Sequence, residues 1–205
     1  MNTADVIRAQ LPLSAIPGLP GIVLHLAAPT SGLRRLTDQT PYWAYVWAGG
    51  AVLSRHILAN PDLVRGRRVL DLGAGSGLVG IVAAQAGALV LAAEIDPLGQ
   101  IAIGLNAGAN EICIDLLPGN ILNGPVPQVD LILVGDLFYE PGLVAPVLEF
   151  LDRALAQGIT VLIGDPGRTA LPLARLKLVA VYDVPDFGRL TPGPATVFRL
   201  IPALR

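Results

Sequence analysis

The chain has 205 residues, 53% of them hydrophobic and 15% charged, which excludes a disordered or polyelectrolyte protein and fits one domain with a sizeable core. Its net charge of −2 argues against nucleic-acid binding by bulk electrostatics. A single cysteine, Cys113, and two histidines 31 positions apart, His25 and His56, exclude an internal disulfide and argue against a thiolate or histidine metal centre.

Residues 3–13 read as a short helix, after which Pro17, Pro20 and Pro29 interrupt the chain around an apolar strand-like piece, Ile22 to Leu26. Ser31 to Asp38 reads as irregular or as a short helix. An aromatic block, Pro41-Tyr-Trp-Ala-Tyr-Val-Trp47, then leads through Gly49-Gly50 into a helix that Pro61 closes. A regular alternation follows: strand 67–72, helix 77–86, strand 88–94, helix 97–109 and strand 111–115, in which Cys113 reads as core. Strand 130–135, helix 142–157 and strand 159–164 continue it. Strands 179–184 and 195–201, either side of a Pro- and Gly-bearing stretch, close the chain as an antiparallel hairpin. The pattern predicts an α/β fold with a mostly parallel, doubly wound sheet over residues 41–205 and an N-terminal extension, residues 1–40, packed on it.

Residues 72–93 carry no charge, a length that would span a bilayer. Five glycines, Ser76 and Gln85 lie within this run, and Asp71 and Glu94 flank it, so it reads as a buried strand, a turn and a buried helix. The N-terminus shows no targeting pattern, and the expectation is a soluble cytoplasmic monomer with no membrane and no nucleic-acid partner. Charge is unevenly placed: residues 69–152 hold ten acids and no Lys or Arg. Such a segment suits a cationic ligand rather than a phosphate, unless its acids only solvate surface helices.

The run Val69-Leu-Asp-Leu-Gly-Ala-Gly-Ser-Gly-Leu78 is a strand entering a glycine turn and then a helix. Gly73, Gly75 and Gly77 permit the tight turn, and the exposed amides at the helix start favour an anionic group such as a carboxylate. Glu94 ends the next strand, 19 residues after Gly75, where a carboxylate accepts hydrogen bonds from vicinal ribose hydroxyls. Gly75-Ser-Gly77-Leu-Val-Gly80 matches a dinucleotide fingerprint but starts two residues after the strand's end at Gly73. Asp71 inside the strand end instead fits the pattern of methyltransferases that use S-adenosylmethionine, whose amine and sulfonium favour acids. Asn120 reads as a neighbour of adenine or as a local turn. Asp136 follows an apolar strand and so stands at the carboxyl edge of the sheet, where ligands bind, with Phe138, Tyr139 and Glu140 beside it as the candidate acceptor site. Asp165-Pro-Gly-Arg168 reads as a turn, with Arg168 as an ion-pair partner.

Six of the ten aromatics fall in two clusters, and the pieces that contain them carry a resemblance. Pro41–Gly50, Val69–Leu78, Glu94-Ile-Asp-Pro97, Asn120-Ile-Leu122, Gly135-Asp-Leu-Phe-Tyr-Glu140 and Ile163-Gly-Asp-Pro-Gly-Arg168 together resemble the seven-strand methyltransferases, and within them the electron-transfer-flavoprotein β-subunit lysine methyltransferases and their bacterial relatives. The resemblance implies S-adenosylmethionine as cofactor and a protein lysine as methyl acceptor, with the electron-transfer flavoprotein β-subunit as partner. It assigns Trp43 and Trp47 to the cofactor pocket, beside Asp71, Gly73, Gly75, Gly77, Glu94 and Asn120, while Tyr42 and Tyr45 staple the extension to the sheet. Asp136, Tyr139 and Glu140 form the catalytic side, with no metal. A small-molecule N-methyltransferase, an NAD-dependent oxidoreductase and a non-catalytic nucleoside-binding protein are the alternatives.

Overall fold

The computed structural model describes residues 2–28, 31–33 and 40–203. Most of the stretch 31–38 therefore lies outside the described residues. The elements run α1 (Thr3–Gln10), β1 (Leu13–Ile16), β2 (Leu19–His25), α2 (Ala48–Ala59), β3 (Arg68–Leu72), α3 (Leu78–Gln85), β4 (Leu89–Glu94), α4 (Pro97–Ala109) and β5 (Asp115–Pro118). β6 (Leu131–Gly135), α5 (Pro141–Ala156), β7 (Thr160–Asp165), β8 (Leu176–Val184) and β9 (Gly193–Leu200) complete them.

Seven strands form one sheet in the order β5-β4-β3-β6-β7-β9-β8. The first five are parallel, and β9 runs antiparallel to both β7 and β8. From β3 the chain builds outward through β4 and β5 on one side and through β6 and β7 on the other. The carboxyl ends of β3 and β6 thus flank the point where strand order reverses, which is where open α/β sheets bind ligands.

The strands are apolar on both faces because both faces are covered. Val69, Leu131, Leu133 and Val197 pack against Val52, Leu53 and Ile57 of α2 and Ile81 and Val82 of α3. Leu70, Ile132, Val134, Val161 and Ile163 pack against Val147, Phe150 and Leu151 of α5. Each fully buried large side chain contributes about 1.5–3 kcal/mol, so these layers hold the strand ends in place. The uncharged run 72–93 is the turn between β3 and α3 followed by α3 and β4. Among the described residues no helix is long and apolar enough to cross a membrane.

Three expectations need correction. The first helix stops at Gln10 rather than residue 13, and Leu13–Ile16 pairs antiparallel with β2 as a strand that the prolines obscure. Asn2 caps that helix, its side chain accepting from the Asp5 amide while the Asp5 carboxylate accepts from the Asn2 amide. The strand placed at 111–115 begins only at Asp115, because α4 ends with Glu111 in the left-handed region at φ 58°. The Glu111 and Ile112 amides donate to Gly108 and Ala107, which closes the helix in a Schellman turn and spends the next residues on redirecting the chain. Cys113 lies in that connection and is exposed, not core.

Candidate active site

The glycine turn is held from both ends. Gly73, Gly75 and Gly77 have φ of 71°, 53° and 80°, values that L side chains adopt at a cost. Asp71, only 1% exposed, accepts from the Gly80 amide at 2.8 Å, tying the end of β3 to the first turn of α3. Burial raises its pKa to about 7, with the Glu94 charge adding to the rise and the Gly80 amide opposing it. Glu94 ends β4 and accepts from the Gly75 amide at 2.7 Å and from the Asp96 amide at 2.9 Å. Its pKa is raised, chiefly by burial. Each oxygen takes one backbone N–H, which leaves acceptor capacity on both for hydroxyl donors.

These residues border a cavity of about 850 Å³ that runs along the carboxyl edge of the sheet from Glu94, Gly73 and Gly75 to Asp136, Tyr139 and Arg168. That volume is within the range of sites for drug-sized ligands. Asn120 lines the cavity and also accepts from the Leu122 amide at 3.0 Å, so the turn and the lining position coincide. Among the described residues, Arg168 is the one cation that lines the cavity, and none of them sets a cation against the glycine turn.

At the far end, the first turn of α2 lies against the ends of β6 and β7. A Cβ on Gly49 would stand 2.5 Å from the Asp136 nitrogen and 2.7 Å from its Oδ2, and closer still to the Gly164 carbonyl. A Cβ on Gly135 would meet the Gly50 backbone at 3.0 Å. Glycine at these positions lets a helix touch strand backbone, so that the Gly49 N–H donates to Asp136 Oδ2. Asp136 Oδ1 accepts from Arg168 Nε at 2.9 Å and Nη2 at 2.7 Å. Burial raises the Asp136 pKa, with the guanidinium and the Gly49 amide acting against it. Asp136 itself sits at φ 53°, a strained backbone for a non-glycine residue, and the three donors on its carboxylate hold it there. The Ala48 N–H donates to Asp186 Oδ1 at 3.0 Å, so two carboxylates from other elements satisfy the start of α2. Asp136 does cap a helix, but it caps α2 rather than the adjacent α5.

The structure redistributes the aromatic roles. Trp43 borders the cavity but is 1% exposed and packs with Ile7, Leu11 and Ala102, and Tyr45 packs against the same cluster as expected, so both join the N-terminal segment to the core. Its Nε1 has no hydrogen-bond partner among the described residues. Tyr42 stands at the cavity rim instead, with its ring 5.0 Å from Tyr139 and 5.6 Å from Trp47. Tyr45 faces Phe187 at 3.9 Å, and Arg168 lies 5.8 Å from the centre of the Trp47 ring. Burial raises the Tyr139 pKa, followed by the nearby Tyr42, Glu140 and Glu94. Phe138 is fully buried in the cluster with Val147, Phe150 and Leu151 of α5 and belongs to the core, whereas Tyr139 is exposed. Glu140 is exposed at the start of α5 and does not line the cavity. The sequence reading missed Asp186 and Phe187, which lie in a Pro- and Gly-bearing loop 138 residues from Ala48 with no periodic signal.

The cavity residues fit S-adenosylmethionine. A ribose-side acid and a glycine turn are present, no cation stands at that turn among the described residues, and acids and aromatic rings that favour a sulfonium line the cavity. Fold and site together define a seven-strand methyltransferase, and S-adenosylmethionine is its cofactor. The sequence profile of the lysine methyltransferase family matches residues 42–170, and the chain belongs to that family. The electron transfer flavoprotein beta subunit lysine methyltransferase of Rattus norvegicus is 47% identical over 131 residues, which are 62% of this chain and 51% of that protein. The protein of the same description from Xenopus laevis is 38% identical over 182 residues, 83% of this chain and 74% of that one. The chain spans about half the length of the mammalian relatives it matches. Among solved structures, the Pyrococcus abyssi tRNA (uracil-54, C5)-methyltransferase in complex with S-adenosyl-L-homocysteine aligns with a TM-score of 0.59 at 16% identity, over 94% of this chain and 44% of that one. A likeness at that identity speaks for the fold.

Proposed function

We propose that the chain methylates the ε-amine of a lysine on a protein, and that the acceptor is the electron-transfer flavoprotein β-subunit. The observation that carries this reading is one continuous cavity that joins the cofactor edge at Glu94 and Gly75 to a mouth of Trp47, Tyr42, Tyr139 and Asp136. Relatives that match 62% and 83% of the chain carry that substrate in their names.

In this reading Glu94 holds the ribose, the turn at Gly73, Gly75 and Gly77 lets the backbone approach the methionine part, Asp71 fixes that turn, and Asn120 lies beside the adenine. Trp43 closes the inner wall. Bound S-adenosylmethionine would supply an electrophilic methyl, the neutral acceptor nitrogen bonding to its carbon as the sulfur leaves in line as the thioether S-adenosylhomocysteine. Tyr42, Trp47 and Tyr139 shield the mouth from water and favour a cation by their ring faces. Asp136 takes a positioning role, since Gly49 and Arg168 already engage both its oxygens. Lysine must be neutral when it attacks, and its ordinary pKa in water, about 10.4, makes alignment of the small unprotonated fraction the main task of the mouth. The exposed Glu140 steers the approaching amine. We assign residues 41–205 as the catalytic domain and residues 1–40 as an extension on it. We further assign the enzyme to the cytoplasm as a monomer, with no nucleic-acid or membrane partner.

The test is incubation with methyl-labelled cofactor and purified electron-transfer flavoprotein, with peptide mass spectrometry to locate the label. Label on a β-subunit lysine, with none on free lysine or nicotinamide, is the expected result. Activity confined to a small amine, with no protein labelled, hands the case to a small-molecule N-methyltransferase.

A further inference from the structure

Two asparagines on α4 do more than complete a helix. Asn106 is fully buried, and its Oδ1 accepts from the His25 N–H at 2.7 Å while its Nδ2 donates to the Ser76 carbonyl at 2.8 Å. A backbone N–H only donates and a carbonyl only accepts, so the two partners fix which way the amide faces. One turn on, Asn110 accepts from the Val23 N–H at 3.0 Å and donates to the Val23 carbonyl at 2.6 Å. On β2, Leu24 is paired with Ser14 of β1, and the alternate residues Val23 and His25 turn their amides to the opposite edge. Two side-chain amides therefore occupy the place a third strand would take along that edge.

Ser76 lies inside the cofactor turn, between Gly75, whose amide donates to Glu94, and Gly77. α4 touches the turn a second time through Ile103, which a Cβ on Gly77 would meet at 3.2 Å. One buried amide thus bonds at once to the N-terminal hairpin and to the turn that receives the cofactor.

We propose that Asn106 is a positioning residue that couples docking of the β1–β2 hairpin to occupancy of the cofactor turn. The proposal rests on the S-adenosylmethionine reading of that turn. A ligand that orders the turn fixes the Ser76 carbonyl, which holds the Asn106 amide, which holds the His25 N–H. Coupling of this kind is reciprocal: cofactor binding stabilises the docked hairpin by the factor with which the docked hairpin strengthens cofactor binding. A two-stranded hairpin is marginal by itself, and while Ile16, Leu19, Ile22 and Leu24 anchor one face of it in the core, its edge at Val23 and His25 is held by the two asparagines and is the part with room to respond.

The test uses the full chain and S-adenosylhomocysteine as the probe, with calorimetry for affinity and hydrogen exchange resolved to β2. The expected result is that the probe slows exchange at Val23 and His25 by at least about tenfold in the wild type. In Asn106→Leu its Kd rises by roughly fivefold or more and the induced protection of β2 disappears. Asn110→Ala loosens the hairpin but keeps the bridge, so β2 exchange is faster at baseline and still slows on binding. A purely structural Asn106 would lower Tm in both variants and leave Kd and the induced protection unchanged, which overturns the proposal. Should Asn106→Leu not fold, the wild-type exchange decides alone: binding with β2 exchange unchanged overturns the coupling, whereas no binding at all overturns the cofactor reading and the coupling together.

Discussion

The two adjacent glycines at the start of α2 are expected to behave in opposite ways. A methyl group added at Gly49 would lie 2.5 Å from the Asp136 nitrogen and 2.7 Å from its Oδ2, and nearer still to the Gly164 carbonyl. Two of these are backbone atoms that no rotamer change can move, so α2 must shift away from β6 and β7. Overpacking of this kind costs about 1–3 kcal/mol, and losing the charged hydrogen bond from Gly49 to Asp136 adds roughly 1.5–3. Together they predict about 2.5–6 kcal/mol for Gly49→Ala, or roughly 5–24 °C in Tm for a domain of this size. At Gly50 an added methyl would meet only Val79 Cγ2 at 3.6 Å, an ordinary contact. Replacing a helical glycine by alanine there should be neutral or stabilising by up to about 1 kcal/mol. A displacement near 1 Å at Asp136 can also cost on the order of a hundredfold in transfer rate. Thermal denaturation of both variants, with methyl transfer assayed where each is folded, checks the pair. Equal effects at Gly49 and Gly50 would refute the argument from close approach.

S-adenosylhomocysteine should raise Tm and NAD should not, and Glu94→Ala should weaken the former by about 2–4 kcal/mol, roughly 30- to 700-fold in Kd by calorimetry. A stabilising response to NAD alone would count against the cofactor assignment. Asp136→Ala should reduce transfer at least about tenfold with cofactor Kd nearly unchanged, measured below the lowered Tm that an unpaired Arg168 brings. Unaltered transfer would make Asp136 structural only. Asp71 is buried and its pKa is raised from 3.8 to about 7, so the folded state binds its proton more tightly than the unfolded chain. Stability should therefore fall as pH rises from about 4 to 7 and level off beyond, a total on the order of 4 kcal/mol. In urea titrations at pH 5 and pH 8, Asp71→Asn should lose roughly 2–3 kcal/mol less than the wild type, and identical losses would contradict the burial argument.

What the sequence made legible was what it encodes locally. The cofactor edge, from Asp71 to Glu94, is one strand-turn-helix-strand unit, and its glycines, its acids and its apolar runs sit at spacings fixed by that geometry. The alternation of strands and helices from β3 to β7, with β5 displaced, and the closing hairpin followed from the pattern in the same way. The acceptor mouth was only half legible. Asp136 could be placed at the sheet edge from the apolar strand before it, but nothing in sequence spacing brings Gly49, Arg168 and Asp186 to it or to α2. Trp43 and Tyr42 are neighbours in a 3-10 turn, Tyr42–Ala44, and which of them enters the core depends on the packing of Ile7 and Leu11. β1 was hidden because Pro17 and Gly18 mark a turn without saying that strands flank it, and β5 because a glutamate rather than a glycine takes the left-handed position that ends α4.

The pairing of Arg168 with Asp136 has a consequence for how the acidic middle of the chain acts on a substrate. Ten acids and no cation between residues 69 and 152 suggest an electrode aimed at the acceptor. The carboxylate deepest in the mouth is nevertheless compensated at 2.7 Å by a guanidinium from outside that segment. Glu94 and Asp96, which also line the cavity, have no such partner among the described residues, so compensation is confined to the Asp136 end. On the proposed function, the acids along the cavity would draw a cationic side chain in, while the paired Asp136 would not trap it as an ammonium ion, as a tight contact with a bare carboxylate would, holding the proton that has to leave. Attraction and deprotonation, which make opposite demands on the same charges, would then fall to different carboxylates.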